Sequence, residues 1–151
     1  MKTPIIAALL LGLLAGCQST KNEQPKPEDF VPLVFHAYIG GHFGPSYHLE
    51  FVPPSKVRYT SSTGREKKVE EFDIPIDYWE GVRFRLDQAR VFKWKNKYRS
   101  KDVSDGTQWS LEVKYKDAEK KIWGDNAYPE YGEFKEFLSI VSNLAYDNKF
   151  E

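Results

Sequence analysis

Over residues 33–39 apolar and polar side chains alternate, with Leu33, Phe35, Ala37 and Ile39 on one face and Val34, His36 and Tyr38 on the other. The same period of two returns in Tyr47, Leu49 and Phe51 around His48 and Glu50, after the turn-rich stretch Gly40, Gly41, His42, Phe43, Gly44, Pro45. Successive side chains of a strand point to opposite faces, so these two runs predict a hairpin with one apolar side. Centring its loop near His42 sets Phe35 opposite Leu49 and Ala37 opposite Tyr47, which keeps the apolar faces together. Pro53 and Pro54 end the second strand, because proline donates nothing to a ladder.

A second hairpin is expected from residues 57–60 and 67–72, turning through Ser61, Ser62, Thr63, Gly64 and Arg65. Asp77 followed three residues later by Glu80 resembles a capping box, and Trp79, Val82, Leu86 and Ala89 recur at helical spacing, which predicts a short helix near 78–89. Residues 91–98 read as extended. The clearest strand covers 107–115, where Trp109, Leu111, Val113 and Tyr115 face one way and Gln108, Ser110, Glu112 and Lys114 the other. A turn around 116–119 returns the chain through Lys121, Ile122 and Trp123, and a loop of Gly124, Asp125, Asn126, Ala127, Tyr128 and Pro129 precedes the last element. There Phe134, Phe137, Leu138, Val141, Leu144 and Ala145 define an amphipathic helix of about four turns. The order predicts an α+β fold: an antiparallel sheet of about six or seven strands, with a short middle helix and a longer C-terminal helix packed on one face. A closed barrel is the alternative.

The N-terminal stretch is of another kind. Residues 5–16 carry no charge, and as a helix they would reach only about 18 Å, short of the ~30 Å hydrocarbon core of a bilayer. A basic residue in front (Lys2), a brief apolar run and small residues before the cut fit a secretory signal. Leu14, Ala15, Gly16 and Cys17 resemble the lipobox of bacterial prolipoproteins, over the first seventeen positions. That resemblance implies diacylglycerol on the Cys17 thiol, cleavage before it, and fatty acylation of the new amino group. Gln18 would then direct sorting to the outer membrane in a Gram-negative cell. The competing reading is an ordinary signal peptide with a cysteine beside its cleavage site. On the lipoprotein reading, residues 1–16 are the signal peptide, 17–31 the lipidated N-terminus and a tether stiffened by Pro25 and Pro27, and 32–151 a single α+β domain. The expected location is the cell envelope, with the membrane as a partner through the lipid.

Without residues 1–16, the 151-residue chain leaves 135, enough for one domain and its core. Cys17 is the only cysteine, so no disulfide is available and stability rests on packing, for which an aromatic share of 15% supplies large buried areas. With 22 Lys plus Arg against 22 Asp plus Glu, the chain lacks the basic excess of a general nucleic-acid binder, and no nucleic-acid partner is expected.

Candidate chemistry is sparse. His36, His42 and His48 fall close together in sequence, but the expected register puts His36 and His48 opposite one another and His42 roughly 20 Å along the strands from either. Three imidazoles so placed cannot share one ion at bonds of ~2.0 Å, and no metal or cofactor is expected. No serine sits in a nucleophile elbow, the carboxylates Glu70 and Glu71 adjoin Lys67 and Lys68 as a solvated face, and Gly40, Gly41 and Gly44 lack the ending of a phosphate loop. No catalytic residue is assigned. Lys93, Lys95, Lys97, Arg99 and Lys101 alternate with Trp94, Asn96, Tyr98 and Ser100, which on an extended segment puts five cations on one face. These five are the candidate binding residues, for lipid headgroups, an acidic glycan or the acidic patch of a partner. The same pattern suits an edge strand guarded by lysines while Phe92, Trp94 and Tyr98 enter the core. Trp123 with Asp125, Asn126 and Tyr128 fits either a sugar platform or a helix-entry loop.

Trp94 with Tyr98, then Asp105, Gly106 and Trp109, then Gly124, Asn126, Tyr128 and Pro129 resemble a pattern of uncharacterised small exported bacterial domains, and the resemblance implies no activity. The expected function is a non-catalytic, lipid-anchored envelope module that binds a protein or an anionic envelope component. The alternative is an enzyme or ligand carrier acting on a cell-wall or lipid component.

Overall fold

A computed structural model describes residues 24–41, 44–101, 106–146 and 148–150. The strands are β1 (Val34–Gly41), β2 (Ser46–Val52), β3 (Lys56–Thr63), β4 (Glu66–Asp73), β5 (Lys97–Arg99), β6 (Thr107–Lys114) and β7 (Glu119–Asp125), and the helices are α1 (Tyr78–Gln88) and α2 (Tyr131–Leu144). They form one open seven-stranded sheet in the order β4-β3-β2-β1-β6-β7-β5. The α+β architecture matches the sequence pattern, with a short middle helix and a longer C-terminal one.

Alternation builds the core. Ala37 pairs with Leu49 on one side and Leu111 on the other, Leu49 pairs in turn with Tyr59 and Leu111 with Ile122, so one register line carries five buried side chains across the sheet. Both helices cover that face. Trp79 of α1 sets its ring 6.2 Å from Phe35 and 5.3 Å from Phe51, and Phe134 of α2 lies 4.8 Å from Trp109. Near the chain's end, Phe150 is buried against Tyr47, while the Tyr59 hydroxyl donates to the Lys149 carbonyl. Each buried methylene contributes about 0.8 kcal/mol, so the aromatic content carries much of the stability.

Several local expectations need correction. The first hairpin pairs His36 with Glu50, Ala37 with Leu49 and Ile39 with Tyr47, two residues from the register drawn through His42. Parity is kept, so the apolar faces agree as expected, and only the span of the loop differs. The second hairpin extends further into its turn, which closes at Gly64 in the left-handed region (φ 62°). Asp77 makes no side-chain cap on α1; backbone bonds from Tyr78 to Pro75 and from Trp79 to Ile76 start that helix.

The larger departures concern residues 91–98, which do not run extended: Val91–Lys93 is a 3-10 turn entered through Arg90 at φ 54°. The physical cause is burial. Val91, Phe92 and Trp94 all face the core, and a strand can bury only alternate side chains, so the chain coils to turn all of them inward. Only Lys97–Arg99 forms a strand, and it runs parallel to β7, making the sheet mixed where an antiparallel one was expected.

At the pole where β1 begins, Pro27–Phe30 forms a 3-10 turn. Lys116 pairs with Asp29 at 2.7 Å, and Phe30 and Val31 pack against the core, so the last residues of the expected tether are docked on the domain. Residues 1–23, including Cys17 and Gln18, lie outside the described residues.

Candidate functional site

The opposite pole gathers the end of β1, the starts of β2 and β6 and the entrance to α2. Packing is tight there: a Cβ on Gly40 would stand 2.6 Å from both the Ser46 Cβ and the Tyr38 hydroxyl, and one on Gly41 would stand 3.2 Å from the Gly106 carbonyl oxygen. Between these elements lies an open cleft of about 830 Å³. Ile39, Tyr47 and Phe134, all largely buried, form its floor with Leu138 beside them. Tyr128 and Tyr131 stand at its wall, 42% and 78% exposed. Gly41, Gly44, Gly106 and Thr107 bring backbone to the rim.

The aromatic wall is held from below. Trp109 of β6, 1% exposed, donates its indole N–H to the Ala127 carbonyl at 2.9 Å and lies nearly parallel to Tyr128, 11° between planes. Phe134 closes the group at 4.9 Å from Tyr128. Asn126 takes a left-handed turn at φ 51°, and its N–H donates to the Thr107 carbonyl at 2.9 Å. Gly106 lies so close to it that a Cβ would fall 1.4 Å from the Asn126 Oδ1. Gly124 is directly opposite Trp109 and lets the indole lie over the β7 backbone. Trp94 and Tyr98 flank the far side of Trp109, with centroids at 6.1 and 5.8 Å. The Trp94 N–H reaches Glu133 of α2 at 2.8 Å, while the Glu130 carboxylate caps α2 through the Glu133 N–H at 3.1 Å. Pro129 immediately precedes that cap.

Most residues of the second-half pattern are therefore one contiguous cluster: Trp94, Tyr98, Trp109, Gly124, Asn126 and Tyr128 support or line the cleft. Asp105 lies outside the described residues. The sugar platform is not assembled, because Trp123 follows Trp109's partner strand in alternate parity and points to the other face of the sheet, beside Lys97. The loop serves as the entrance to α2.

The described lining residues include no histidine, lysine, arginine or carboxylate. A cleft so lined offers dispersion, apolar burial and tyrosine hydroxyls, with backbone amides at the glycine rim, and suits capture of an apolar group. Sequence reasoning missed it because its lining comes from four separate stretches of chain; the glycines and the exposed aromatics Tyr128 and Tyr131 were the available signals.

The five candidate cations do not form one strip. All are exposed, but Lys93 belongs to the 3-10 turn and Lys95 to the connection after it. Lys97 and Arg99 share the open face of β5, where the Lys97 Nζ sits 4.5 Å over the Trp123 ring and Arg99 lies 3.6 Å from Asp125. Coiling at 91–93 breaks the alternation that the strip required. The exit of β5 nevertheless reaches the pole of the cleft: the Ser100 N–H donates to the Asp125 carbonyl at 3.0 Å, one residue before Asn126.

On the open face His36 has Glu50 and Glu112 as its cross-strand partners, and its ring meets that of His48 edge-on at 6.2 Å, a diagonal contact in place of the direct pairing expected. Arg58 bridges Glu50 and Glu71, and Lys121 binds Glu112 at 2.7 Å. Among the described residues no cluster of histidine and carboxylate is placed to hold a metal ion; His42 lies outside them. Burial lowers the pKa of His48 from its ordinary 6.5, against the opposing pull of Glu50. The unfolded chain therefore takes up this proton at a higher pH than the fold does. Stability is expected to fall as pH drops through about 6.5, levelling once His48 itself is protonated. His48→Gln should flatten the dependence of the urea midpoint between about pH 7 and pH 5; an unaltered slope would assign it to other groups.

Among the described residues no helix is long and apolar enough to cross a membrane. No family model matches the chain, and no curated protein matches it in sequence.

Proposed function

We propose that the chain is a non-catalytic binding module of the cell envelope, held at a membrane by lipid on Cys17, that captures an apolar group of an envelope partner in the cleft at the glycine-rich pole. The observation that carries this reading is the lining itself: tyrosine, phenylalanine, aliphatic side chains and glycine backbone, without histidine, lysine, arginine or carboxylate among the described residues. Tyrosines with one apolar face and one polar tip are typical anchors of protein interfaces, and a rim of exposed aromatics around a buried floor fits capture better than turnover. General acid–base work would need a titratable pair at the floor, and Ile39 and Phe134 stand there.

A photo-crosslinking amino acid at position 131, at the mouth of the cleft, is expected to give a discrete adduct in intact cells. The same group at position 84, where Phe84 is 62% exposed on α1 away from the cleft, should give none. Equal yields at both positions, or none at 131, would reject the cleft as the site. The anchor has its own test. Cys17→Ala should abolish fatty-acid labelling and release the protein from membranes, whereas persistent labelling would refute attachment at Cys17. With two or more acyl chains at ~0.8 kcal/mol per buried methylene, the wild-type protein should remain membrane-bound through salt washes.

A further inference from the structure

β4 is one edge of the sheet, and among the described residues no strand pairs with its outer side. The opposite edge is β5, of three residues, whereas β4 offers eight, paired to β3 without a bulge from Lys56 against Asp73 to Thr63 against Glu66. Such an edge presents a row of main-chain donors and acceptors to a second strand. Parity decides which of them face outward. The Ile74 N–H donates to the Ser55 carbonyl at 2.8 Å, one step beyond the Lys56 pairing, so the even residues of β4 bond to β3 and the odd ones turn outward. The Tyr146 hydroxyl donates to the outward Asp73 carbonyl at 3.2 Å, which leaves Lys67, Val69 and Glu71 to bond a neighbour. Val69, in the middle of this stretch, is 50% exposed.

The charges along this edge, Lys67, Lys68, Val69, Glu70, Glu71, are opposite in sign at positions equally far from Val69. We infer that β4 pairs antiparallel with β4 of a second copy of this chain, the two-fold axis passing between the two Val69 residues, so that the sheet continues across a homodimer. In that register Lys67 faces Glu71 and Lys68 faces Glu70 of the second copy, each contact occurring twice, and the outward residues 67, 69 and 71 meet one another and bond. A slip of two residues either way sets Glu70 against Glu70 or Lys68 against Lys68. A slip of one sets outward groups opposite residues whose own groups point back to β3. Lysines alone would repel a second copy and guard the edge; carboxylates at the mirrored positions make it self-complementary. Within one copy Lys68 reaches Glu70 at 2.8 Å and Arg58 holds Glu71 at 2.9 Å, so the contacts between copies extend an existing network, the setting in which exposed ion pairs count. An edge contact of this length buries less than the interface of a permanent dimer, and association is therefore concentration-dependent. β4 contributes nothing to the cleft lining, so pairing does not depend on what enters the cleft.

The unmodified full chain should sediment as a monomer at about 5 µM and increasingly as a dimer toward about 500 µM, with less dimer as salt rises. Under mild oxidation Val69→Cys should form a disulfide between copies, because the Cα atoms of a hydrogen-bonded pair stand ~5.5 Å apart, within disulfide reach. Peptide mapping separates that bond from one through Cys17. Lys67→Cys should not link to itself, since its two copies lie about 13 Å apart along the strands. Adding Lys68→Glu to Val69→Cys should raise the concentration needed for linkage about tenfold, and adding Glu70→Lys as well should restore it, with the thermal midpoint of the monomer unchanged throughout. A photo-crosslinking amino acid at position 69 in intact cells is expected to yield a homodimer. A monomer at every concentration, equal linkage from positions 67 and 69, no rescue by the double charge reversal, or an adduct with a different protein in place of a second copy would each overturn the inference.

Discussion

Trp109→Ala is expected to destabilise the fold by about 3 to 5 kcal/mol, the range for removing a large aromatic from a packed core. The indole is almost fully buried and touches Trp94, Tyr98, Tyr128 and Phe134, so no single neighbour can collapse into the void. Its N–H bond to Ala127 also fixes the loop that carries Tyr128. Partner capture should therefore weaken even in the fraction that remains folded. Urea unfolding followed by circular dichroism measures the first effect, and crosslinking from position 131 the second. A near-neutral substitution would mean that β6 does not present this side chain to the core.

Gly124→Ala is expected to cost about 3 kcal/mol, at the upper end for forcing extra volume into a packed site. The added Cβ would stand 1.9 Å from the Trp109 Nε1 and 2.2 Å from its Cε2. A flexible side-chain tip could swing aside, but this indole is held by its ring neighbours and by its bond to Ala127. Either Trp109 moves or β6 parts from β7. The two substitutions should therefore couple: in the Trp109→Ala background, Gly124→Ala should cost less by about 1 to 3 kcal/mol, as residues in direct contact do. Strict additivity in a double-mutant cycle would show that the strain is relieved elsewhere.

Both effects arise from a contact between residues fifteen apart in sequence, and that separation marks what could be read in advance. Strands and helices with a clean period were legible: the alternations around Phe35, Leu49 and Leu111 and the helical spacing of Phe134, Phe137 and Val141 specify which side of each element is buried. Parity survived even where register did not, since a shift of two residues in the first hairpin leaves every side chain on its face. Residues 91–98 failed because consecutive apolar side chains admit two solutions, a strand burying alternate residues or a coiled turn burying neighbours. The choice is made by where Trp94 meets Glu133, 39 residues later on α2. The cation strip failed with it, because its single face was a consequence of the extended conformation.

The candidate site was less legible than the fold. Gly106, Trp109, Gly124, Asn126 and Tyr128 stood out as residues, but nothing local indicates that Gly106 makes room for Asn126 or that Gly124 makes room for Trp109. A cleft is a property of surfaces that do not share a stretch of chain, so neither periodicity nor turn chemistry encodes it.

By itself the sequence determined the α+β class, the buried faces of β1, β2, β6 and α2 and the absence of any disulfide route to stability, because these follow from local periodicity and from residue counts. Only the tertiary structure decided the parallel docking of β5, the coiling of residues 91–93, and the assembly of an aromatic cleft at the pole opposite the N-terminal turn. Those depend on which distant residues compete for the same volume, and excluded volume is settled only when the chain is packed.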